Sequence, residues 1–171
     1  MKVKDLVVMA LFVAIGAVLH LIVPGFGSGM KPDFSLLMLF MGIIFFPHKK
    51  HVLLLGLATG VVSGLTTTFP MGFFPNVIDK FVTAFAFYGL LLLIKHRQST
   101  IVYSLLAVVG TLISGTVFLT SAVILVGLPA PFLLLFLQIV IPAMLINSIV
   151  MALIYPAIYL IVKRTKIIKV A

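Results

Sequence analysis

Four charged side chains stand in sequence that is otherwise apolar: Lys31 and Asp33 in Met30-Lys31-Pro32-Asp33, and Asp79 and Lys80 in Asn76-Val77-Ile78-Asp79-Lys80. Each pair joins a base to an acid. Such a pair can hold a ligand that carries both charge signs, or the two side chains can simply hold each other. Near them in the chain, Thr66-Thr67-Thr68 supplies hydroxyls and Phe69, Phe73 and Phe74 supply aromatic surface, while Gln138 and Asn147 supply amides in a later apolar segment. Residues for bond-breaking chemistry are missing. There is no cysteine, no H-E-x-x-H, no pair of acids within an apolar segment and no G-x-x-x-x-G-K-[ST] phosphate loop. No metal, cofactor or catalytic role is therefore expected, and any ATP used must be bound by another subunit. These residues suit a pocket with both charge signs and an aromatic wall.

Composition sets the medium in which such a pocket must be built. The chain has 171 residues, 63% of them hydrophobic and only 9% charged, whereas a soluble domain is about half apolar and a quarter charged. So few charges cannot cover a surface in water, so an all-α polytopic membrane protein is expected. The net charge of +9 does not imply nucleic acid, because the bases punctuate apolar runs as they do in membrane loops. Those runs, broken at 24–29, 69–75 and 128–131, predict a single membrane domain over 1–171. Its six helices are expected at roughly 4–23, 33–47, 51–68, 76–95, 100–127 and 132–162. Several runs fall short of the roughly 20 residues usually needed to span. The first helix follows Met1-Lys2-Val3-Lys4 but lacks a convincing small-residue cleavage site, so it reads as a span rather than a signal peptide.

Six spans put Lys2, Lys4, Lys49, Lys50, Lys95, Arg97, Lys163, Arg164, Lys166 and Lys169 on one side, and only Lys31 and Lys80 on the other. The positive-inside rule then places both termini in the cytoplasm. Counting about 20 residues outward from the inner boundaries of helices 2 and 4 draws Lys31, Asp33, Asp79 and Lys80 below the outer surface. A charge at the bilayer centre costs on the order of 3 kcal/mol, less near the interface, and such residues usually face the protein interior.

Each candidate also has a plainer reading. Asn76 and Asp33 suit helix caps, the threonines can bond back to helix carbonyls, and the phenylalanines suit an interfacial belt. Asn147 suits a bond to a neighbouring helix, whereas Gln138, nearer the outer end, suits a ligand better. His20 reads as interfacial and His48, His51 and His96 as solvated. Lys80 is harder to dismiss, because a cation in a first helical turn opposes the helix dipole and needs a carboxylate. Small residues form two stripes: Ala10, Ala14 and Ala17 on helix 1, and Gly56, Gly60 and Gly64 on helix 3. Internal packing suffices for the second; the first suits either internal packing or contact between subunits.

With these residues in view, the chain resembles the substrate-binding (S) components of energy-coupling factor (ECF) transporters, most closely their tryptophan-specific family. The resemblance covers essentially the whole chain and is sharpest at Met9-Ala10-Leu11-Phe12-Val13-Ala14-Ile15-Gly16-Ala17, Met30-Lys31-Pro32-Asp33, Thr66-Thr67-Thr68-Phe69-Pro70 and Pro75-Asn76-Val77-Ile78-Asp79-Lys80. It implies a bacterial plasma-membrane protein that captures tryptophan outside and releases it inward by toppling. It also implies a transmembrane coupling (T) subunit docked on the Ala10 and Ala14 face, and two cytoplasmic ATPases. Under that resemblance Lys80 or Lys31 would hold the tryptophan carboxylate, Asp79 or Asp33 its ammonium, and Phe69, Phe73 or Phe74 the indole. Thr67, Asn76 and Gln138 complete the expected site. Two alternatives remain open: an S component for another aromatic or vitamin-like ligand, and a non-transporting assembly or regulatory subunit.

Overall fold

A computed structural model describes residues 2–22, 33–94 and 99–165. Lys31, the 24–29 segment, Lys95, His96, Arg97 and the bases after Thr165 lie outside the described residues. Six helices follow in order: α1 (Val3–Ile22), α2 (Phe34–Phe45), α3 (Lys49–Leu65), α4 (Phe73–Leu93), α5 (Thr100–Leu125) and α6 (Phe132–Thr165). This is an all-α polytopic membrane protein. Among the described residues, four helices, α1, α4, α5 and α6, are long and apolar enough to cross a bilayer. Large apolar side chains stand exposed along them, among them Leu145 at 63%, Ile149 at 62% and Leu153 at 69%. Water would reject a surface of that kind and lipid accepts it.

The short α2 is the centre of the bundle. Every residue from Ser35 to Phe45 is buried, so α2 touches neighbours all round. It packs against α1, α3, α4, α5 and α6. Phe40 stacks on Phe87 of α4 with centroids 4.0 Å apart, and Phe12 of α1 stacks on Phe45. Asp33 caps α2, its Oδ1 accepting from the Leu36 N–H at 2.9 Å.

Glycines set the closest approach between helices. A Cβ on Gly56, Gly60 or Gly64 would meet Ala84, Val77 or Phe73 of α4 at 3.0 Å or less, so the α3 stripe is internal packing. On α1 the residue that seats against α2 is Gly16, whose Cβ would lie 3.0–3.1 Å from Met38, Phe34 and Ser35. The alanine stripe faces elsewhere: Ala10 and Ala14 are exposed and Ala17 is half-buried.

Two turns shape the end of the bundle where α2, α4 and α6 begin. Phe69-Pro70-Met71-Gly72 closes with Gly72 N–H donating to Phe69 O at 3.0 Å, and Met71 takes a positive φ of 51°. After α5, Gly127 turns the chain at φ 89°, a region open to glycine at little cost. Its N–H donates to Ala122 O at 2.8 Å. In α6, Phe136–Val140 forms a π-helical turn, with Ile141 N–H donating to Phe136 O. Pro142 comes next in the chain. Proline lacks the N–H and its ring crowds the carbonyl four residues back, and a widened turn relieves both problems.

One expectation fails at the other end. His51 is not solvated: it is 7% exposed and packs edge-on against Phe46 at 5.5 Å. It is the third residue of α3, and its side chain turns inward while His48, Lys49 and Lys50 stay exposed.

Candidate functional site

α2, α4, α5 and α6 enclose a cavity of about 210 Å³ near the end of the bundle where α2, α4 and α6 begin. Asp33 enters it from the cap of α2, Asn76, Asp79 and Lys80 from α4, Thr111 and Ser114 from α5, and Asn147 from α6. The remaining wall is largely apolar, with Phe69, Phe118, Leu119, Leu135 and Ile139 among its residues. By helical rise, Phe118 lies about 10 Å beyond Thr111, and Leu135 about 18 Å beyond Asn147. The cavity therefore grades from a charged floor to an apolar, aromatic mouth.

At the floor, the Lys80 Nζ lies 2.8 Å from Asp33 Oδ2 and 2.8 Å from Asp79 Oδ2. It also donates to Ser114 Oγ at 3.4 Å. Asp79 accepts from Ser114 Oγ and from Thr83 Oγ1, each at 2.9 Å. Asn147 ties two elements together. Its Oδ1 accepts from the Asp33 N–H at 3.0 Å, and its Nδ2 donates to Thr111 Oγ1 at 3.1 Å. Buried charges need partners of this kind, because desolvation otherwise outweighs their attraction. The side chains of Asp79 and Lys80 are 1% and 3% exposed and that of Asp33 is 29% exposed. His20 Nδ1 stands 3.9 Å from Asp33 Oδ1.

Six of the expected residues converge on this cavity: Asp33, Thr67, Phe69, Asn76, Asp79 and Lys80. Thr67 Oγ1 accepts from the Phe69 N–H at 3.1 Å, and the Phe69 ring meets Phe118 edge-on at 5.3 Å. Asn76 sits inside the first turn of α4, its Nδ2 donating to Gly72 O at 2.8 Å. Thr66 instead bonds back to Val62 O at 2.9 Å. Two expected residues do not reach the wall. Phe73 packs on Gly64 and on Phe74, because α4 begins at Phe73 and turns that ring toward α3. Gln138 is exposed. The α6 wall is a stripe at Leu135, Ile139, Ala143 and Asn147, and Gln138 sits about 100° off it around the helix. Lys31 lies outside the described residues. Sequence reasoning missed Thr83, Thr111 and Ser114, and read Asn147 only as a link between helices. Among the described residues, no three His, Cys, Asp or Glu side chains gather as a metal site would require.

The profile of the family described as Tryptophan transporter TrpP matches residues 2–163. The chain belongs to that family. Among the similar proteins, one from Bacillus subtilis (strain 168) is 50% identical over 171 residues, which is 100% of this chain and 99% of that protein. One from Clostridium acetobutylicum is 43% identical over 92% of this chain and 93% of its own. One from Clostridium perfringens is 38% identical, covering 89% of each. Each of the three carries the name "Probable tryptophan transport protein". No solved structure matches the chain. Family and apolar helices together make this TrpP chain a multi-pass protein of the bacterial plasma membrane. It is a transport subunit rather than an enzyme.

Proposed function

We propose that this chain is the tryptophan-capturing S subunit of an ECF importer. The observation that carries the reading is the graded cavity. A charged floor of Asp33, Asp79 and Lys80 lies below a wall that includes Phe69 and Phe118, which suits a zwitterion attached to a flat apolar ring. The names of the relatives support the same substrate. Asp33, Thr67, Phe69, Asn76, Asp79 and Lys80 are proposed to form the site, together with Ser114 and Asn147.

All six helices are taken as spans, with both termini cytoplasmic. Lys2 and Lys4 open α1, Lys49 and Lys50 open α3, and Lys163 and Arg164 close α6; α2 can be short because neighbours shield it from lipid. A T component is proposed to dock on Ala10 and Ala14. These line a groove of about 390 Å³ between α1 and α3, with Leu6, Met9, Leu54 and Val62 among its other walls. Ala17 is not on that groove. Two cytoplasmic ATPases would supply the energy, since the chain has no phosphate loop.

Titration of the purified chain with L-tryptophan tests this reading, by calorimetry and by ligand fluorescence. The chain contains no Trp, so all indole emission comes from the ligand. Saturable binding of tryptophan is expected. Failure to bind it, alongside binding of another amino acid or a vitamin, would sink the reading.

A further inference from the structure

We infer that the ligand enters the cavity amine first, with its ammonium on Asp33, and that Lys80 is a positioning residue that does not hold the ligand carboxylate. The inference rests on the proposed tryptophan site and assigns the ligand's direction within it.

A lysine ammonium has three donors and no acceptor. All three directions at Lys80 are taken, by Asp33 Oδ2 and Asp79 Oδ2 at 2.8 Å and by Ser114 Oγ at 3.4 Å. Ser114 spends its one hydrogen on Asp79, so it holds that carboxylate in place beneath the lysine. To meet a ligand carboxylate, Lys80 would have to abandon one of two aspartates while 3% exposed. Asp79 is equally closed, with three donors on it and 1% exposure.

Asp33 differs from both. Its carboxylate has about four lone-pair sites and receives hydrogens from Leu36 N–H and Lys80. It is 29% exposed on the cavity wall, and its backbone is held by Asn147. Among the described residues, two aspartates against one lysine leave the cluster one negative charge in excess when His20 is neutral. A ligand ammonium cancels that excess, whereas a carboxylate at the same depth doubles it. With the amine at the floor, the indole reaches the mouth between Phe69, Phe118, Leu119 and Leu135.

Two half-ligands decide the direction. Tryptamine keeps the amine and lacks the carboxylate; indole-3-propionate keeps the carboxylate and lacks the amine. With the full chain in detergent and L-tryptophan binding established, tryptamine should displace tryptophan, and indole-3-propionate should be weaker by roughly 100-fold or more, as when one member of a buried charge pair is removed. Equal behaviour of the two, or preference for the acid, overturns the inference while tryptophan binding, and the proposed function, stand. Absence of tryptophan binding strikes the function itself. The variant Asp33→Asn should lose tryptamine and gain affinity for indole-3-propionate, a reversal that general unfolding cannot produce. Loss of both analogues together from a variant whose circular dichroism matches wild type overturns the assignment of Asp33.

Discussion

Lys80 shows how a single residue type is read in a membrane chain. Lys80 is the eighth residue of α4, past the first turn where the helix dipole acts, but a cation in apolar surroundings still requires a carboxylate, and two are supplied. Removing a buried ion while its partners stay is costly. Lys80→Met leaves Asp33 and Asp79 facing each other and should cost about 3–5 kcal/mol of stability. Adding Asp79→Asn removes one orphaned charge and should recover part of the loss. Thermal unfolding in detergent, followed by circular dichroism, checks both, and a double variant no more stable than Lys80→Met would contradict the pairing. The hydroxyls were not legible in the same way. Ser104 and Thr116 of α5 bond back to the carbonyls of Thr100 and Leu112, while Ser114 and Thr111 of the same helix turn to Asp79 and Asn147. Residue type is shared and use is opposite, because a hydroxyl in an apolar helix always has a carbonyl four residues back within reach. Only the facing helix decides.

Elements were legible to the extent that chemistry punctuates them. The proline-containing segments 69–72 and 128–131 fall between helices, whereas α1, α3 and α6 run past the charge-free stretches to take in Lys4, Lys49, Lys50, Lys163 and Arg164. Gly56, Gly60 and Gly64 mark the face where α3 meets α4. Enlarging that face should be costly: Gly60→Leu drives a side chain toward Val77 and should destabilise by roughly 1–3 kcal/mol. A stability equal to wild type in the same unfolding measurement would mean that the two helices have room to part. The enclosure of α2 was not legible. Lipid and protein interior are equally apolar, so hydropathy cannot say which of the two a helix faces. The π turn of α6 belongs to the same class, since Pro142 predicts a disturbance but not its form. With Pro142→Ala the cause of the widened turn is gone, and α6 should re-register as a regular helix, turning Ile139 and Val140 relative to the cavity. Tryptophan affinity should then fall by about 10-fold, as expected for a small misplacement of packed wall residues. Unchanged affinity by calorimetry would show that the turn does not set the wall.

For the whole molecule, charge and small residues divide the work by side. Among the described residues the charges fall in two groups, one at the ends of α1, α3 and α6 and one at the cavity floor. The described bases that make the net charge large therefore lie at helix ends, while the charges proposed to bind ligand almost cancel. The α1 face belongs to this scale because none of the described residues fills it. Gly16 seats α1 on α2, leaving Ala10 and Ala14 exposed above a groove that reaches α3. A face needed only for internal packing would be covered; this one is open, and its small side chains let another helix come close. Ala10→Leu combined with Ala14→Leu fills the groove without touching any residue of the cavity wall. Distant sites act independently within a few tenths of a kcal/mol, so tryptophan affinity of the isolated chain should hold within about twofold. Tryptophan uptake by the assembled transporter should be lost, together with co-purification of the T component. If uptake persists with both leucines in place, the T component docks elsewhere, and the open face of α1 meets only lipid.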